Sequence, residues 1–141
     1  MDGVDLTALV RAAGDAIVIA DPEGRITLWN PAAERIFGYP AGEAVGQSLD
    51  LIIPERFRAR HWDGYREVMR MGRTRYGTEV LRVPAQRKDG QRISIAFTVA
   101  LLVAADGRVT GIAAIVRDET KRWDEEQALR RRVAELERAK G

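Results

Sequence analysis

The chain has 141 residues, 45% of them hydrophobic, enough for about one domain that encloses a core and a small cavity. Its 23 Lys and Arg nearly balance 21 Asp and Glu, and a formal charge of only +2 argues against a dedicated nucleic-acid binder. Without cysteine there are no disulfides, thiolate metal sites or cysteine nucleophiles, and no apolar run approaches the roughly 20 residues that span a bilayer, so the expected location is the cytoplasm, away from membrane.

In chain order, Val4, Leu6, Leu9, Val10 and Ala13 predict a short amphipathic helix that ends at Gly14 and flanks the domain as a segment over residues 1–13. Two β-rich runs, Ala16 to Ala20 and Arg25 to Trp29, surround an Asp-Pro-Glu-Gly turn and read as a hairpin. From Asn30 to Pro54 the chain is punctuated by Gly38, Pro40, Gly42, Gly46 and Pro54. It breaks there into short helical pieces that need packing to hold them.

Glu55 to Met71 predicts a longer helix closed by Gly72. It carries His61, the single histidine of the chain, four residues from both Phe57 and Tyr65 on the stripe that continues to Val68. Arginines 56, 58, 60, 66, 70, 73 and 75 fall in and after this helix among acidic residues, the pattern of a solvated face. Val80 to Gln86 is a β-rich run whose Pro84 marks an edge strand or a bulge. After the Asp89-Gly90 turn, Ile93, Ile95, Phe97, Val99, Leu101 and Val103 alternate along a long strand with one strongly apolar face. Asp106-Gly107 returns the chain into Val109 to Val116, its antiparallel partner.

Two strands, several short helices and three more strands predict an α+β domain over residues 14–119, with helices on one face of an antiparallel sheet. Residues 120–141 are highly charged, with Leu129, Val133 and Leu136 spaced as in the seam of a coiled coil. They read as a helix leaving the domain. No nucleophile and base pair, metal cluster or nucleotide loop stands out, so the chain is not expected to be an enzyme.

The stretch "DAIVIADPEGRITLWNPAAERIFGYPAGEAVGQSL", followed by "RKDGQR" and "VRDETKR", resembles a PAS sensory domain over about residues 12 to 120. The resemblance implies a PAS fold: a five-stranded antiparallel sheet, short helices packed on one face, and flanking N- and C-terminal helices. It also implies a signal relay in which Asp118 accepts a hydrogen bond or salt bridge and Thr120 caps the exit helix.

Within that family, the region from His61 to Asp89 is most similar to the haem-binding PAS domains of the FixL and Dos oxygen-sensor type. His61 occupies the place of the proximal histidine, after "IIPE" and in "RARH", and the distance to Asp89-Gly90 needs no gap. The resemblance implies haem b with His61 as the iron ligand, for sensing of a diatomic gas (O2, CO or NO) or of redox state. Tyr65, Val68, Leu81, Ile95, Phe97 and Val99 would line the cofactor, and Arg75, with Arg73 or Arg66 as further choices, would meet its propionates.

Leu81 stands where FixL-type domains carry an oxygen-binding arginine, and Glu79 stands near the methionine position of the Dos type. The distal side is therefore expected to be apolar and to favour CO or NO over O2 relative to FixL. Arg82 is expected on the opposite side of the sheet unless a bulge at Pro84 redirects it. The alternatives are a flavin site, with FAD beside Trp29 and Trp62, and a cofactor-free module acting in dimerisation and protein-protein signalling, in which His61 is structural. Either version is expected to form a homodimer and to feed an output domain outside this chain, a kinase, cyclase, phosphodiesterase or transcription factor.

Overall fold

The computed structural model describes residues 3–74 and 77–140. Helix α1 (Leu6–Ala12) precedes strands β1 (Ala16–Ala20) and β2 (Ile26–Trp29). Helices α2 (Pro31–Phe37) and α3 (Ala41–Ala44), a 3-10 turn over Leu49–Ile52 and helix α4 (Glu55–Met71) follow. Strands β3 (Leu81–Gln86), β4 (Arg92–Val103) and β5 (Val109–Asp118) lead into helix α5 (Thr120–Lys140).

The five strands form one antiparallel sheet in the order β2-β1-β5-β4-β3. The chain's first and last strands meet at its centre. Pro84 sits on the edge strand β3, where its missing N–H leaves no gap in the ladder, and it pairs opposite Ser94 in unbroken register. Of the two readings of that proline, edge strand holds and bulge does not. Arg82 consequently stays on the sheet face opposite Leu81 and Val83.

Three hairpin-type turns share one construction. In the turns at Asp21, Arg87 and Ala104, the first residue's N–H donates to the carbonyl four residues on, and a glycine N–H donates back to the first residue's carbonyl, all at 2.9 Å. Gly24, Gly90 and Gly107 occupy the same position with φ of 84° to 87°, a left-handed conformation that costs a β-carbon dearly.

One sheet face carries the core. The pairings Ala16–Val116–Phe97–Leu81 and Val18–Ala114–Val99 place these residues on a common side, and Ile95, Ile93 and Ala85 continue it. Against the β1 half of this face pack Ile26, Trp29, Ala32, Ala33, Phe37 and Ala44, all buried, with the Trp29 and Phe37 ring centroids 5.3 Å apart. Among the described residues, Asn30 is the one buried polar residue of this core. Its Oδ1 accepts from the amides of Ile17 and Ala33, which caps α2, while its Nδ2 donates to the carbonyls of Val10 and Asp15. A single side chain thus ties α1, β1 and α2 together.

Candidate functional site

The site is built on α4. Pro54 sets the backbone at its start, Gly72 closes it in the left-handed conformation, and Tyr65 is its one buried residue. Near its start, Arg58 donates from Nε to the Ile53 carbonyl at 2.9 Å and from Nη2 to the Asp50 carbonyl at 3.2 Å. One turn later the Trp62 indole donates to Asp50 Oδ1 at 2.7 Å and lies against Gly24. A β-carbon at Gly24 would stand 2.2 Å from the ring. The Tyr65 hydroxyl donates to the Asp21 carbonyl at 2.5 Å. The β1–β2 turn and the 3-10 turn therefore grip one side of α4.

His61 lies between these ties. Its ring meets Trp62 edge-on at 4.7 Å between centroids and Tyr65 at 5.7 Å. Among the described residues, its Nδ1 is the only buried side-chain nitrogen or oxygen without a hydrogen-bond partner. An imidazole that has lost water and gained no acceptor resists a second proton. Burial accordingly lowers the His61 pKa, with the negative charge of Asp50 pulling weakly the other way. Tyr65 is shifted upward, first by burial and then by the charges of Asp21 and Glu23, so its hydroxyl remains a donor.

The sheet beneath is unevenly covered. Ile93, Ile95 and Ala85 are buried, whereas Leu81, Phe97, Val99 and Leu101 on the same face are only half-buried and Val83 is 42% exposed. The α2 and α3 side of the face is filled. The β3 and β4 side keeps apolar surface that is only partly covered among the described residues.

Several expectations take a different form. Trp29 belongs to the core and donates to the Tyr39 carbonyl at 2.9 Å, while Trp62 lies against Gly24 and donates to Asp50. Arg75 lies outside the described residues. Arg66 is engaged with Asp63 at 2.8 Å on the exposed face of α4, and Arg70 with Glu67 at 2.7 Å, as a solvated arginine face would be.

At the exit joint, Asp118 Oδ1 does accept, from the Thr120 amide at 2.9 Å and the Thr120 hydroxyl at 2.6 Å. Thr120 does not cap α5. Its Oγ1 accepts from the Ser94 amide of β4 at 3.0 Å, and the neighbouring Glu119 amide donates to the Ser94 carbonyl. A side chain that starts beside the end of β5 finds a strand donor closer than the helix amides it could serve. Sequence reasoning had no local signal for Ser94, whose importance comes from the pairing of β4 with β5.

A family model described as the PAS fold matches residues 5–118. The chain belongs to the PAS family. Like other PAS sensory domains it is similar to segments of signalling proteins. It is 28% identical to the oxygen sensor protein DosP of Escherichia coli over 132 residues, 94% of this chain and 16% of DosP. It is 30% identical to the sensor protein FixL of Bradyrhizobium diazoefficiens over 132 residues, 93% of this chain and 26% of FixL. The chain thus spans between a sixth and about a quarter of these relatives. Among solved structures, a PAS domain from Colwellia psychrerythraea superposes with a TM-score of 0.72 at 22% identity, over 82% of this chain and 95% of that one. An RNA-binding light-oxygen-voltage receptor also gives 0.72, at 25% identity, over 92% of this chain and 36% of that one.

Proposed function

We propose that this PAS domain holds haem b through His61 and senses a diatomic gas or redox state, passing the change to α5. The observation that carries the reading is the buried, unpartnered Nδ1 of His61 on a helix that leaves apolar sheet surface half-covered. A neutral imidazole with a free lone pair is what an iron ligand requires, and the lowered pKa keeps it in that state at neutral pH. Among the described residues no three His, Cys, Asp or Glu side chains converge. A metal held by one histidine needs its other donors from a macrocycle. Haem, when bound, supplies those nitrogens and an iron that takes small gases.

The chain's own residues do the remaining work. Trp62 and Tyr65 fix the helix that presents His61, through Asp50 and Asp21. Leu81, Phe97 and Val99 on the helix-bearing sheet face, with Ile95 beneath and Val68 on α4, exclude water. Arg75 is the propionate partner in this reading. Leu81 would offer a gas bound to the haem no hydrogen-bond donor, which would disfavour O2 relative to CO and NO. A flavin fits less well: β3 and β4 offer this face only hydrocarbon side chains, whereas flavin carbonyls and N–H groups need polar partners.

No catalytic step is assigned to the chain. The residues of the α5 seam, Leu129, Val133 and Leu136, are 46% to 63% exposed, which suits a homodimer feeding an output domain. Among the described residues, no helix is long and apolar enough to cross a membrane, and a cytoplasmic sensor is the proposed setting.

The test is the visible spectrum after haemin addition, for the wild-type protein and His61→Ala. A sharp Soret band that shifts on reduction and with CO, and is weakened in the variant, is expected. A spectrum indifferent to His61 while both proteins keep the same circular dichroism would refute the assignment. The cofactor-free module would then be the better reading.

A further inference from the structure

A concave region opens where the first turn of α4, the edge of β3 and β4, and the first half of α5 meet. The cleft has a volume of about 680 Å³. Arg56 and Phe57 of α4, Arg82 and Val83 of β3, Arg92 of β4, and Trp123 and Arg130 of α5 all face it. Its charge is not self-compensated. Arg122 is paired with Glu126 at 3.3 Å, but among the described residues no carboxylate lies within ion-pair distance of Arg56, Arg82, Arg92 or Arg130. Against these four guanidinium groups the cleft has two further carboxylates, Glu119 and Asp124, so a net positive charge remains.

The walls are apolar where the rim is cationic. Trp123 is 51% exposed, and Pro84 on the sheet face of Arg82 and Arg92 continues the surface. Arg56 already lies over the Phe57 ring, 4.6 Å from its centroid, which presents a guanidinium plane at one end. Guanidinium groups bind carboxylate and phosphate through paired N–H donors, and an indole left half in water favours a flat apolar partner.

We infer that this cleft is a binding site for a small organic anion, an aromatic ring bearing one phosphate or carboxylate group. The anion is held by Arg82, Arg92 and Arg130, and the ring lies against Trp123 and Pro84, which shares the sheet face of the two strand arginines. Nothing in this site depends on the His61 reading. Its consequence is mechanical: a ligand spanning Arg82 and Arg130 ties the middle of the exit helix to an edge strand, above the Thr120–Ser94 bond at its base, and so biases how α5 leaves the sheet.

The experiment is a titration of the whole chain with phenyl phosphate, benzoate and inorganic phosphate, followed by calorimetry and tryptophan fluorescence. Saturable binding of phenyl phosphate or benzoate is expected, with the fluorescence change lost in Trp123→Phe. Whichever of the two binds more tightly identifies the anionic group. Arg82→Gln/Arg92→Gln should weaken binding by about tenfold or more. Arg66→Gln/Arg70→Gln removes equal charge from the solvated face of α4 and should leave affinity within about twofold. The inference is overturned by any of three results: no saturation up to about 10 mM, equal weakening in the two double variants, or inorganic phosphate binding as tightly as either aromatic anion.

Discussion

Gly24→Ala probes the grip on α4 most directly, because Gly107 provides an internal control. Both glycines occupy the same position of the same kind of turn, with φ of 85° and 87° and identical 2.9 Å closing bonds. A β-carbon in the left-handed region costs about 1–2 kcal/mol, less a few tenths for the stiffer unfolded chain, so Gly107→Ala should lose about 1 kcal/mol. Nothing lies within 4 Å of a β-carbon at Gly107, whereas at Gly24 it would stand 2.2 Å from the Trp62 ring. The indole must move, breaking its 2.7 Å bond to Asp50 and uncovering apolar area. With that bond partly exposed and worth about 1 kcal/mol, and the lost packing about the same, Gly24→Ala should cost about 2 kcal/mol more than Gly107→Ala. Urea unfolding of the two variants, with Trp62→Leu and Gly24→Ala/Trp62→Leu, completes the cycle. In the Trp62→Leu background the excess should vanish. If the two alanine variants agree within about 0.5 kcal/mol in the wild-type background, the indole is not seated on Gly24 and the account of how His61 is positioned fails.

Asn30→Ala removes a helix cap and leaves the Ile17 amide without its acceptor; a loss of about 2–4 kcal/mol in urea unfolding is expected, with faster amide exchange in α1, whose Val10 carbonyl loses its donor. Thr120→Val keeps the shape of the joint but strips the Ser94 amide of its acceptor, and should cost about 1–2 kcal/mol while loosening α5 more than the sheet, as read by hydrogen exchange. The pH dependence follows from His61. Its folded pKa lies below the ordinary 6.5, so its contribution to stability is fully present above that value and is lost as pH falls through the folded pKa, because the unfolded chain takes up the proton first. It is the only histidine, so His61→Phe should flatten the stability profile of the haem-free protein just below pH 6.5, and an unchanged slope there would contradict the burial of its imidazole.

The parts legible in the sequence are those whose signal is local. Helix α4 follows its predicted bounds, from the residue after Pro54 to the residue before Gly72, and β1 runs over Ala16–Ala20 as its apolar run predicts. β4 and β5 begin and end within two residues of the alternating pattern. The stripe from Phe57 through His61 to Tyr65 was readable from helical spacing. What holds that stripe was not: Gly24 and Trp62 are far apart in sequence, and neither residue announces that an indole will rest where a β-carbon is missing. The same limit explains Thr120. From its neighbours it reads as a helix cap, and only the register of β4 against β5 brings the Ser94 amide to its hydroxyl.

That register also bears on how a change near His61 would reach α5. Ser94 stands between Ile93 and Ile95, the buried residues of β4 on the face that α4 leaves half-covered. Its backbone carbonyl and amide both engage the exit joint, through the Glu119 amide and the Thr120 hydroxyl. In the proposed sensor, a shift of the β4 side chains toward or away from a bound cofactor moves a residue whose two backbone groups carry the first turn of α5. The joint can then have two arrangements with little rearrangement elsewhere, because the Asp118–Thr120 pair is exposed and can reorganise without uncovering core. Thr120→Val offers the discriminating case. If transmission runs through Ser94, the variant should keep the ligand-induced spectral change at His61 while the response of α5 to that ligand, read by hydrogen exchange, disappears. An unaltered response would place the coupling elsewhere, with the α4–α5 cleft as the next element to test.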